Sequence, residues 1–92
     1  MGLGKFELGY LRDKEKREVD FVVARDGQPW FLVEVKQRDE VVTPALKYFQ
    51  QQLAAPFAFQ VVLDADYVNA DCFAKPGVPV VVPARTFLSQ LL

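Results

Sequence analysis

The stretch EVDFVVARDGQPWFLVEVK, Glu18 to Lys36, limits the fold more than any other part of the chain. Two β-rich runs flank a turn, and the second run ends in charge. Valine and aromatic side chains suit a pleated, half-buried surface, and Asp-Gly between two such runs tolerates the positive φ that a tight hairpin needs. The spacing therefore predicts antiparallel strands over Glu18 to Ala24 and Trp30 to Lys36, turning around Asp26 to Gln28. On alternation alone, Val19, Phe21 and Val23 share one side of the earlier strand, and Asp20, Val22 and Ala24 the other. A further alternating run, Phe6 to Arg12, predicts a strand before them, set off by the charged residues Asp13 to Arg17. The three segments form an antiparallel meander.

Beyond the meander the hydrophobic period changes. Thr43-Pro44 predicts a helix start, with Thr43 as N-cap and Pro44 where its missing N–H costs little. Leu46, Phe49 and Leu53 then recur at helical spacing, which gives a helix from about Pro44 to Ala54 that Pro56 ends. FQVVL (Phe59 to Leu63) and VPVVV (Val78 to Val82) predict two buried strands, separated by the polar segment Asp64 to Gly77. Pro83 stops the last strand, and ARTFLSQLL resumes a helical pattern. The order βββαββα points to an α/β fold, a mixed sheet flanked by helices. With 92 residues, 51% of them hydrophobic, one domain spanning 1–92 is expected.

Composition narrows the chemistry. One cysteine and no histidine exclude a disulfide framework and the usual Cys/His zinc sites. A formal net charge of −1 provides no general basic field for nucleic acid, so any such contact must be local. No stretch approaches the roughly 20 apolar residues that cross a bilayer, and the first residues lack the apolar core of a signal peptide. Cytoplasmic residence is the expectation.

Glu34 and Lys36, two apart on a strand, share a face with Leu32, while Val33 and Val35 face the other way. If the hairpin pairs Asp20 with Glu34, it also pairs Val22 with Leu32 and Ala24 with Trp30, and the three polar groups gather on one patch. Two adjacent carboxylates repel unless a cation intervenes, and Mg²⁺ typically takes one or two carboxylates plus waters and a substrate phosphate. Asp20 and Glu34, with the carbonyl of Val35, become candidate metal ligands. Lys36 becomes the group that orients or deprotonates a metal-bound water. The same pattern also arises as a solvated strand face with a weak ion pair.

EVDFVV followed by FLVEVK resembles the Asp…Glu-x-Lys signature of the PD-(D/E)XK nuclease-like superfamily. YLRDKEKREVDFVVARDGQPWFLVEVK, with the closing VPARTFL, is similar to the C-terminal domain of uncharacterised function carried by many prokaryotic AAA-type ATPases. The likeness runs from about Tyr10 to Leu88. It implies a restriction-endonuclease-like core, metal-binding roles at Asp20 and Glu34, a catalytic role at Lys36, and a chain that is the C-terminal part of a larger ATPase. Active members of the superfamily add an acidic residue from a helix before the first core strand; here Glu7, on an expected strand, is the one acidic residue before the charged loop.

Two functions follow as expectations. One is Mg²⁺- or Mn²⁺-dependent hydrolysis of nucleic acid at Asp20, Glu34 and Lys36; the other is a noncatalytic DNA-binding or protein-interaction module on the same fold. The corresponding partners are nucleic acid, the ATPase domain of the parent chain, and a second copy meeting it through strand edges. Lys47, Gln50 and Gln51 are further candidates for phosphate or base contact, against a soluble helix face. Arg12, Lys14, Lys16 and Arg17 could touch a nucleic-acid backbone, although interleaved acids favour a solvated turn. Asp64, Asp66, Asn69 and Asp71 miss the Ca²⁺-loop spacing and read as loop residues. GLGK lacks the phosphate-loop spacing, Cys72 reads as a packed small side chain, and Tyr48, Phe49, Phe57 and Phe59 read as core rather than a stacking platform.

Overall fold

The structure, a computed structural model, describes residues 6–12, 18–38 and 41–91. Its elements are β1 (Phe6–Arg12), β2 (Glu18–Arg25), β3 (Gln28–Lys36), α1 (Pro44–Leu53), β4 (Phe57–Val62), β5 (Pro79–Pro83) and α2 (Ala84–Leu91), with one 3₁₀ turn at Cys72–Ala74. The five strands lie in chain order in one sheet. β1 to β3 are antiparallel, and β3, β4 and β5 are parallel. The expected order βββαββα is the observed one. Asp26 and Gly27 both have positive φ, 53° and 80°, as a two-residue type I′ hairpin turn requires.

The turn is one residue shorter than the sequence suggests. Val22 pairs with Leu32 as expected, but Ala24 pairs with Pro29, because the register shifts after Val23 and leaves Trp30 as the extra residue. A second irregularity bears on the site. Gly9 pairs with Val22 and Leu11 with Val19, so Asp20 and Phe21 together oppose the single residue Tyr10. That bulge breaks the alternation along β2. Val19 consequently packs with Leu32 and Leu46, opposite in face to Phe21 and Val23, with which simple alternation had grouped it.

Each face of the sheet carries one helix. α1 packs against β2, β3 and β4 over Val19, Leu32, Leu46, Phe49, Ala55 and Ala58. Thr43 caps it as expected, accepting from Leu46 N–H at 3.3 Å, and its last turn closes through Ala54 at φ 50°. Ala54 is a non-glycine in the left-handed region, where a Cβ is strained. Ala54→Gly should therefore raise stability by about 0.5–1 kcal/mol, read as a thermal midpoint a few degrees higher. An unchanged or lowered midpoint would show that the strain is not there.

The opposite face holds an aromatic-rich core of Phe31, Val33, Phe59, Val61, Cys72, Val82 and Phe87 beneath α2, which packs against β4 and β5. Burial, reinforced by Asp71, pushes the Cys72 thiol upward from its ordinary pKa, so it behaves as a packed apolar group. α2 also fixes the connection before it. Thr86 bonds both main-chain groups of Val68, and Gln90, one turn later, bonds Cys72 N–H and the Ala70 carbonyl. Toward β1 and β2 this face remains open as a groove of about 370 Å³, lined only by apolar side chains that include Leu8, Phe21, Val23, Val35, Leu88 and Leu91.

Candidate functional site

Glu34 and Lys36 lie on the α1 face of β3, where their Oε1 and Nζ atoms are 3.5 Å apart. The Glu34 side chain is only 12% exposed. What covers it is the segment leading into α1: the Thr43 hydroxyl donates to Glu34 Oε2, while its oxygen also caps the helix. Thr43 in turn is fixed by Gln60, the β4 residue paired with Glu34. Thr43 N–H donates to Gln60 Oε1 at 3.1 Å, and Gln60 Nε2 donates to the Val41 carbonyl at 3.1 Å. One fully buried amide thus ties residues 41–43 to the sheet.

Asp20 reaches the same region by a different route. Lys36 carbonyl accepts from Leu63 N–H on the β4 side, so alternation turns the main-chain groups of Val35 toward β2. There the Val35 N–H donates to Asp20 Oδ2 at 2.7 Å. The paired ladder runs to Phe21 opposite Val33, and beyond it the aspartate side chain supplies the acceptor. Asp20 therefore sits on the main chain between Glu34 and Lys36, as a consequence of the bulge.

Both candidate carboxylates are already engaged by groups of the protein itself. Mg²⁺ demands near-octahedral oxygen ligation, whereas Glu34 is already held by the Thr43 hydroxyl and the Lys36 ammonium, and Asp20 by an amide N–H. Among the described residues no three His, Cys, Asp or Glu side chains gather closely enough to hold a metal ion. Glu7 does not complete the set. It pairs with Ala24, four residues along β2 from Asp20, which is roughly 13 Å at the rise of a strand.

The other sequence candidates separate cleanly. Gln50 is buried and donates to the Ala55 carbonyl, so it is unavailable to phosphate, while Lys47 and Gln51 are exposed on α1. Arg12 is exposed on β1; Lys14, Lys16, Arg17 and the GLGK segment lie outside the described residues. Asp64 accepts from Gln37, and Asp71 caps the 3₁₀ turn through Phe73 N–H, both loop roles. Phe49 and Phe59 are buried and Phe57 and Tyr48 half-buried, as core residues. Sequence reasoning missed Gln60. A lone amide inside FAFQVV was the available signal, because a polar group in a buried strand must find partners.

These features define a small mixed α/β domain whose charged strand end is tied by side chains into its own backbone. The chain belongs to the family described as Domain of unknown function (DUF4143), whose pattern matches residues 3–85. Neither the curated proteins nor the solved structures gave a match to it. Among the described residues no helix is long and apolar enough to cross a membrane.

Proposed function

We propose that this chain is a noncatalytic protein-interaction module built on a restriction-endonuclease-like sheet and carried by an ATPase. The observation that supports it is the commitment of Glu34: its carboxylate holds Thr43 and Lys36 together rather than facing an open site. On this reading Asp20, Glu34 and Lys36 keep the lettering of a nuclease centre and act as a staple. They join β2, β3 and the start of α1. The near-neutral charge and the apolar groove favour a protein partner over nucleic acid.

Calorimetric titration with Mg²⁺ or Mn²⁺ should give no saturable heat, and DNA or RNA incubated with either ion should stay intact. Glu34→Ala should instead lower folding stability by about 1–2 kcal/mol, because the Thr43 hydroxyl that caps the helix start loses its acceptor. Metal binding together with cleavage that disappears in both Asp20→Ala and Lys36→Ala would establish the nuclease reading in its place.

A further inference from the structure

We draw no further inference here: the strongest candidate, the apolar groove between α2 and the β1–β2 part of the sheet, is an unpartnered face, and nothing in the structure shows what covers it.

Discussion

Phe59→Ala should cost about 3–5 kcal/mol of folding stability, the range found when a large buried aromatic is truncated in a packed core. The Phe59 ring is fully buried at the centre of the aromatic cluster, with ring centroids of Phe87 at 4.9 Å, Phe73 at 5.1 Å and Phe31 at 5.7 Å. These neighbours come from β3, the 3₁₀ turn and α2, so none of them can collapse into the vacated space without disturbing another element. For a domain of this size the total is about 5–15 kcal/mol, and the variant should unfold at much lower urea with a similar slope. A loss below about 1 kcal/mol would mean that the face beneath α2 is loosely packed.

Gln60→Leu should cost about 1–3 kcal/mol, although leucine nearly matches the volume and is more hydrophobic. The neighbouring position points to the opposite face of β4, and the mechanism is opposite too. The lost amide leaves Thr43 N–H and the Val41 carbonyl without their partner; Val41 is exposed and its carbonyl can turn to water, whereas the half-buried Thr43 amide, once orphaned, costs about 1–3 kcal/mol. With residues 41–43 released, the hydroxyl that holds Glu34 is also displaced. Hydrogen exchange at the Thr43 amide should accelerate by at least about tenfold, alongside the shift in urea midpoint. Wild-type stability and unchanged exchange would show that Gln60 is not what fastens the loop.

How far the sequence carried can be judged from particular residues. The meander, the Asp26-Gly27 turn, the cap at Thr43 and both helices were legible, because each depends on local φ preference or on a period. The bulge at Asp20 and Phe21 was not. Its cause lies across the sheet, in two residues facing Tyr10, and nothing in EVDFVV marks where alternation will slip. The shared face of Glu34 and Lys36 followed from their spacing, but the cover over Glu34 did not. It depends on Thr43 and Gln60, nine and 26 positions away in the chain, which no short-range pattern connects. β4 likewise begins at Phe57, two residues before the expected start, since the helix cap hands the chain to the sheet directly after Pro56.

The change of strand direction at β3 sets an order of assembly. Hairpin contacts among the first three strands close short loops and form on a microsecond scale, whereas docking β4 beside β3 must first close the excursion through α1. Contacts of high sequence separation slow folding, so the parallel half is the late arrival. Until it docks, the amide of Gln60 and the apolar flank of β3 stand open to solvent together. A chain stalled at that stage would expose a bare sheet margin, and crowded synthesis is where such margins find the wrong neighbour.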